Sequence, residues 1–564
     1  MSRFNLKPSN LLKPNIVNKT SLGIKPSILI VLISLWLASV SNTALWLAIW
    51  RLPDLSGHHN FAFMLGFFVF ITGLQIAFLS LFAWAKLLKP MLIFVLIYAA
   101  LGAYFMLSYG IVVDKSMLIN VLQTDLRESK ELFSWQLLLV LAFMALLPIA
   151  LLWRVKVQKQ PFFTQLLGNL ILLFLAIVIA VVAVMLSFQS MASVMRNHKE
   201  LRFMINPLNS VYALGLIVVE PFTRHTLDIQ AVGLDAKLGA SWQANKKPAL
   251  LVVVVGETAR AANFSLNGYA RETNPELEKL DIANFSNVHS CGTSTAASLP
   301  CMFSHLGREG YAKRNANYES LLPVLKHAGL SVLWRDNNAG CKGVCSNAVA
   351  EYNDMSHENV ADFCDSEACF DEVLLHQLDA RADNVLKNSN ASGAVVVLHQ
   401  MGSHGPAYYL RSPQAYKKFM PECTSNNLQD CNQQQVINAY DNTILYTDHF
   451  LAQTIQWLNS HANQYDTAML YVSDHGESLG ENNTYLHGLP YMIAPDLQKH
   501  VPMIVWLSPQ MQARNGVTMA CLQRQKDAAL SHDNLFHSVL GLLDIHTSVY
   551  NPALDFFAPC SKKR

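Results

Sequence analysis

Cysteine is missing from the first 290 residues of this 564-residue chain, although ten cysteines follow. Charge is also scarce: Asp, Glu, Lys and Arg together make 15% of the residues, against 52% hydrophobic. That balance excludes a disordered or wholly solvated chain and points to a membrane part. The net charge of +2 gives no case for nucleic acid as a partner, and no basic cluster with interleaved aromatics appears. No Gly-rich phosphate loop of either nucleotide-binding type is present, which removes the usual nucleotide-dependent enzymes. The cysteines form close pairs without the Cys-x-x-Cys spacing and His partners of structural zinc sites, so disulfides are the better reading.

The apolar excess lies in the first third. Five runs of roughly 20 residues, the length that crosses about 30 Å of hydrocarbon, are Ile28–Trp50, Phe61–Ala83, Met91–Tyr109, Trp135–Trp153 and Leu167–Phe188. Four further runs after the first argue against a cleaved signal peptide. Arg3, Lys7, Lys13, Lys19 and Lys25 precede the first run, and Lys86, Lys89, Arg154, Lys156 and Lys159 fill the second and fourth loops. The positive-inside rule then puts the N-terminus in the cytoplasm and everything after the fifth helix outside. Cysteines confined to that outer part agree with an oxidising compartment. Proximity pairs them as Cys291–Cys301, Cys341–Cys345, Cys364–Cys369 and Cys423–Cys431, leaving Cys521–Cys560 by elimination.

The expected organisation is a basic tail (1–27), a five-helix membrane domain (28–188), a linker (189–245) and a catalytic domain (246–564). Within the membrane domain, the polar stretch from Val112 to Phe133 is helix-compatible, with Asn120, Thr124 and Glu128 at i, i+4 and i+8 on one face; a solvated face is the plainer alternative. In the linker, Ser190–Ile205 sets Met191, Val194, Met195, Leu201 and Met204 against Arg196, Lys199 and Arg202. An amphipathic helix at the membrane surface and an ordinary surface helix fit it equally. From Pro248 onward, short β-branched runs alternate with helical stretches: Ala249–Val255, Leu330–Trp334, Ala394–Leu398, Ala468–Val472 and Val501–Leu507. This pattern predicts an α/β domain with a mostly parallel sheet covered on both faces.

Polar residues of one kind follow these runs. In such sheets, sites gather beyond the carboxyl ends of the strands. Glu257 follows the first run, Lys342 lies in the loop after the second, His399 and His404 follow the third, and Asp474, His475 and then His487 follow the fourth. Two carboxylates and an imidazole make an incomplete zinc set with a position left for chemistry. Thr295 lies in a loop pinched by Cys291 and Cys301, and Ala296–Leu299 can begin a helix behind it. Its hydroxyl is too weakly acidic to attack at neutral pH unless a metal favours the alkoxide. A Ser/Thr-rich capping loop is the plain alternative. The residues alone read as a metal-dependent group-transfer enzyme.

Gly256-Glu257-Thr258-Ala259-Arg260, Ser290–Ser304, His399–Pro406, Ser473–Ser478 and Tyr485-Leu486-His487-Gly488 resemble the lipid A phosphoethanolamine transferases. These membrane enzymes include the mobile colistin-resistance enzymes, and their catalytic domain is alkaline-phosphatase/sulfatase-like. The resemblance covers nearly the whole chain, since that family also has five membrane helices ahead of a periplasmic domain. It implies a Gram-negative inner-membrane protein that moves phosphoethanolamine from phosphatidylethanolamine to a lipid A phosphate through a covalent threonine intermediate. It further implies polymyxin resistance, Zn2+ on Glu257, Thr295, Asp474 and His475, and Thr295 as nucleophile; a monomer is expected, although the sequence carries no signal for oligomeric state. Lys342, His404 and His487 fall on positions that bind the phosphoethanolamine group or a further zinc, with His404 and His487 also placed for proton transfer. Asn120, Thr124 and Glu128 fall on a helix of the lipid site. Where some relatives carry a bulkier residue, this chain has Ala297. The sulfatase Cys-x-Pro-x-Arg signature is absent around Thr295, against sulfate ester hydrolysis. Transfer to a core heptose or Kdo, phosphoglycerol transfer, a hydrolase, and a membrane-anchored sensor with a structural metal are the alternatives; an open hydroxyl-bearing position argues against the last.

Overall fold

The computed structural model describes residues 23–52, 58–124, 126–223, 228–244, 247–345, 348–358, 360–364, 369–389 and 391–561. Residues 1–22 of the basic tail lie outside them. The chain divides into two compact units: one takes in 55–100, 141–192 and the chain before 42, the other 42–54, 101–140 and everything from 193.

Among the described residues, four helices are long and apolar enough to cross a membrane, five if the first, broken pair counts as one span. That pair is α1 (Pro26–Ser39) and α2 (Thr43–Trp50), where one continuous run was expected. The break falls at a polar step: Asn42 donates from Nδ2 to the Asn206 carbonyl (2.6 Å) and accepts from its N–H (2.9 Å). The remaining spans are α3 (His58–Ser80), α4 (Leu88–Tyr109), a helix over Trp135–Arg154 with a π-turn at Ala142–Leu146, and Phe162–Leu186. Helix α3 lies close against Phe162–Leu186: a Cβ on Gly73 would meet the Ala176 carbonyl at 2.9 Å, the small-residue contact by which helices associate in lipid.

The polar stretch after α4 departs from expectation. It forms two short helices, α5 (Lys115–Gln123) and α6 (Leu126–Glu131). Thr124 ends α5 in extended backbone and donates its hydroxyl to the Asn120 carbonyl (2.9 Å). Asn120, Thr124 and Glu128 therefore do not share one continuous helix face; a hydroxyl that satisfies a terminal carbonyl competes with helix propagation. Glu128 is on α6, its side chain outside the described residues. The amphipathic linker stretch likewise splits at His198 into a helix, Phe188–Asn197, and a 3-10 turn, Lys199–Met204.

The second unit is built on an eight-stranded sheet. In chain order its strands are β1 (Ala249–Gly256), β2 (Ala283–His289), β3 (Ser331–Asp336), β4 (Glu351–Asp354), β5 (Ala394–His399), β6 (Asp466–Ser473), β7 (His500–Leu507) and β8 (Leu530–Ser531). Across the sheet they run β8-β2-β7-β6-β1-β5-β3-β4, with β7 alone antiparallel to its neighbours. The central strands are buried on both faces, which is why they read as unbroken apolar runs. Leu251, Val253 and Val255 enter one apolar cluster while Leu250, Val252 and Val254 enter the other, the two-residue period of a strand. The second cluster also receives the 28-residue helix Gln433–Ser460 and Tyr104, Tyr109 and Ile111.

Strands β2, β4 and β8 carry no β-branched run and were not expected. β2 reads Ala-Asn-Phe-Ser-Asn-Val-His, with buried and half-buried positions mixed. Five disulfides join Cys291–Cys301, Cys341–Cys345, Cys364–Cys369, Cys423–Cys431 and Cys521–Cys560.

Candidate functional site

Strands β1 and β6 are parallel neighbours in register, Gly256 beside Ser473. Their carboxyl ends therefore deliver Glu257 and Asp474-His475 to one point. All three are fully buried, and one ligand atom from each lies within 4.8 Å of the others. The backbone is strained to achieve this: Thr258, a β-branched residue, has φ +59°, a cost of order 1–3 kcal/mol that persists only where surroundings over-determine it. Here they do, because Thr258 donates its N–H to Asp474 Oδ1 (3.1 Å) and its hydroxyl to Glu257 Oε1 (2.5 Å).

The arrangement of His475 fixes what the cluster wants. Its Nδ1–H donates to the Gly476 carbonyl (2.9 Å), so in the neutral ring the Nε2 lone pair is left facing inward. Nε2 sits 3.4 Å from Glu257 Oε1 and 3.4 Å from Asp474 Oδ2, and neither Nε2 nor Asp474 Oδ2 has a hydrogen-bonding partner. A lone pair and two carboxylate oxygens converge with nothing to separate their charge except a proton or a cation. The titration pattern repeats the point. Burial, followed by the Glu257 charge, pushes Asp474 up to about 7. Burial alone would lower His475, yet Asp474 and Glu257 raise it to about 10. The donor set of oxygen, oxygen and imidazole nitrogen fits a zinc ion.

Thr295 is the first residue of the helix Thr295–Met302 and is buried. Its hydroxyl donates to Glu257 Oε2 at 3.0 Å. Asn338, in the loop after β3, donates to the same oxygen (2.9 Å) and to the Gln400 carbonyl (2.9 Å), so it orients Glu257 against the next loop.

That next loop, after β5, carries His404. Gly402 has φ +53°, and a Cβ there would lie 2.6 Å from the Glu257 carbonyl, so only glycine fits. Asp371 holds the loop by accepting from the N–H groups of Met401 (2.8 Å) and Gly402 (2.9 Å) and from Asn337 and Gln400. Arg411 donates from Nε to the His404 carbonyl (2.9 Å) and pairs with Glu131 of α6. His487 lies 4.3 Å from His475 and 5.7 Å from His404, ring centre to ring centre. Its Nδ1 faces buried Glu477 at 3.4 Å.

Thus Glu257, Thr295, Asp474, His475, His404 and His487 come together. Lys342 does not touch this cluster: its Nζ donates to the Gln123 carbonyl at the end of α5 (3.3 Å). Sequence reading overlooked Asn338, Asp371 and Glu477. It also left unpaired a buried couple, His399 Nδ1 and Asp336 Oδ2 (3.0 Å), which register places side by side on β5 and β3. The signal for that couple was present, since both residues end their strands.

Residues 71–222 match the family described as phosphoethanolamine transferase EptA/EptB, and residues 249–545 match the sulfatase family. Phosphoethanolamine transferase EptA of Escherichia coli is 40% identical over 86% of this chain and 87% of its own. Phosphatidylethanolamine transferase Mcr-1 of Escherichia coli is 38% identical over 93% of this chain and 96% of its own. The integral membrane lipooligosaccharide phosphoethanolamine transferase A of Neisseria meningitidis superposes with a TM-score of 0.89, at 35% identity over 95% of this chain and 99% of its own. Fold, site and likeness over nearly the full length agree, and the chain belongs to the EptA/EptB phosphoethanolamine transferase family, with apolar N-terminal helices and a sulfatase-like catalytic domain.

Proposed function

We propose that this enzyme transfers phosphoethanolamine from phosphatidylethanolamine to a phosphate of lipid A through a covalent intermediate on Thr295, at the outer face of a Gram-negative inner membrane. The observation that carries the reading is the Thr295 hydroxyl 3.0 Å from Glu257, beside the unpartnered Asp474 Oδ2 and His475 Nε2. Glu257, Asp474, His475 and Thr295 would hold Zn2+, which when bound lowers the pKa of the threonine hydroxyl and neutralises charge on phosphate oxygens.

In the first step Thr295 Oγ1 forms a bond to phosphorus and the bond from phosphorus to the diacylglycerol oxygen breaks. The hydroxyl proton is directed at Glu257 Oε2, and the departing diacylglycerol alkoxide takes a proton from His404 or His487. In the second step a lipid A phosphate oxygen attacks the same phosphorus and the bond to Thr295 breaks; the proton held at Glu257 Oε2 returns to Thr295 Oγ1, and the proton of the acceptor phosphate passes to the histidine that protonated diacylglycerol. Burial of the cluster keeps water from intercepting the intermediate. Membrane helices in the first part of the chain (28–188), tethered through a linker (189–245) to a catalytic domain (246–564), would confine the site to the membrane that holds both lipids, which raises their effective concentration. The added amine offsets phosphate charge and weakens binding of polymyxin and other cationic peptides.

Mass spectrometry of lipid A from cells expressing wild type and Thr295→Ala tests this. A phosphoethanolamine increment with wild type alone is expected. Unmodified lipid A from well-expressed, membrane-inserted wild type would remove the lipid A acceptor and turn the search to core heptose or Kdo.

A further inference from the structure

Asp336, the last residue of β3, is fully buried and is none of the metal ligands. Its carboxylate can only accept, and its two oxygens serve different sides. Oδ2 accepts from the Trp334 indole N–H (2.7 Å) and from Nδ1 of His399 (3.0 Å), its parallel neighbour on β5. Oδ1 accepts from the backbone N–H groups of Asn338 (2.8 Å) and Gly340 (3.2 Å). Those two bonds fold the chain just past the strand into a tight turn, which Gly340 completes at φ +82°. Burial would push the carboxyl up, but His399, Trp334 and the Asn338 N–H hold it below its ordinary value, so it stays an anion.

The turn fixes an amide. Asn338 Oδ1 accepts from the Ala339 N–H (2.6 Å), so the amide cannot flip. Both hydrogens of its Nδ2 then point onward, to the Gln400 carbonyl (2.9 Å) and to Glu257 Oε2 (2.9 Å). Glu257 has its own two oxygens divided. Oε1 takes the Thr258 hydroxyl (2.5 Å) and lies 3.4 Å from His475 Nε2, facing the metal-ligand cluster. Oε2 takes the Thr295 hydroxyl (3.0 Å) beside the Asn338 amide. A continuous run of contacts therefore leads from Asp336 Oδ1 to the Asn338 backbone (2.8 Å), through its side chain to Glu257 Oε2 (2.9 Å), and on to Thr295 Oγ1 (3.0 Å).

We propose that Asp336 is a positioning residue for the nucleophile: through the turn at 336–340 it aims the Asn338 amide, which holds Glu257 with one oxygen toward the metal and the other toward Thr295. The proposal rests on the transferase reading above, which makes Thr295 the nucleophile, and adds what holds its proton acceptor in place. The hold resides in Oδ1. An amide at 336 keeps an oxygen on the same two N–H groups and preserves it, whereas removal of the side chain does not. Loss of a partner that orients a metal-binding carboxylate changes metal affinity or activity by about 10–100-fold.

The test uses the full-length protein in detergent, as wild type, Asp336→Asn, Asp336→Ala, Asn338→Ala and the double variant of the two alanine changes. Two quantities are read: zinc affinity, by competition with a chelator, and the rate at which phosphatidylethanolamine loads Thr295 without acceptor. Asp336→Ala and Asn338→Ala should each lower both by about tenfold, and Asp336→Asn by less than about threefold. The double variant should lose no more than the worse single one, because both changes act on the same carboxylate. Losses that multiply in the double variant, or a zinc affinity or loading rate unchanged in Asp336→Ala, overturn the proposal. If Asp336→Ala does not fold, the other two single variants decide. Wild-type values in Asn338→Ala, or a loss of about tenfold in folded Asp336→Asn, overturn the proposal, and the reverse pattern supports it. If wild type never loads Thr295, the transferase reading falls and zinc affinity alone tests the positioning: the same pattern upholds it, and equal affinities remove it.

Discussion

Replacing Asp371 by Asn should loosen the loop that carries His404 without touching any ligand of the metal cluster. The carboxylate is fully buried, which pushes its pKa up, and four donors oppose that shift: Asn337, the Met401 and Gly402 N–H groups, and Gln400. An isosteric amide keeps one acceptor oxygen and turns an N–H2 toward backbone donors. Each buried donor left without a partner costs about 1–3 kcal/mol. Gln400 Oε1 and Asn337 Oδ1 are buried without partners and can accept from the new amide, which limits the loss to about 2–4 kcal/mol. Asp371→Ala orphans all four donors and should cost a large part of the 5–15 kcal/mol that a domain typically holds. For Asn the unfolding midpoint of the full-length protein in detergent should fall by about 4–10 °C. Transfer should fall at least tenfold with bound metal retained, because Ser403 donates to the Glu257 carbonyl (3.0 Å) and His404 follows it. An unfolding midpoint and transfer rate equal to wild type would refute the reasoning.

His475→Gln should yield folded protein depleted of zinc by elemental analysis, because the amide lacks the inward Nε2 lone pair; full zinc content would contradict the ligand set. Arg411→Met leaves the Glu131 carboxylate buried and the His404 carbonyl without this donor, and should cost about 3–5 kcal/mol in thermal unfolding. Burial pushes His532 down to about 4, and the neutral ring accepts from the Cys291 N–H and donates to the Ser473 carbonyl. A depressed histidine contributes stability that is whole above its unfolded value near 6.5 and is lost as pH falls toward 4, here about 3 kcal/mol. The stability gap between wild type and His532→Gln should therefore narrow across pH 6.5 to 4, and a constant gap would exclude a neutral buried ring.

Residues that end apolar runs were legible in the sequence, because a strand buried on both faces announces itself and its last residue marks the sheet edge. Glu257, Asp474 and His475 came from that logic, and parallel register then made their convergence a geometric consequence. β2 was not legible, since alternating Asn and Ser on a half-covered strand look like loop. Asn338 and Asp371 were hidden for a different reason: each acts on a residue 29 or more positions away, through a loop contact that only tertiary folding creates. The i, i+4, i+8 spacing of Asn120, Thr124 and Glu128 misled, because spacing alone cannot show that the Thr124 hydroxyl caps α5 and stops the helix. Lys342 was expected at the cluster because it follows a strand, but its loop turns at φ +46° and its side chain reaches α5.

The most direct measurement is peptide mapping by mass spectrometry of the full-length enzyme incubated with phosphatidylethanolamine and no acceptor. A phosphoethanolamine adduct on Thr295, discharged when lipid A is added, is the predicted result. Transfer to lipid A with no adduct on Thr295, or with the adduct on another residue, would contradict the account.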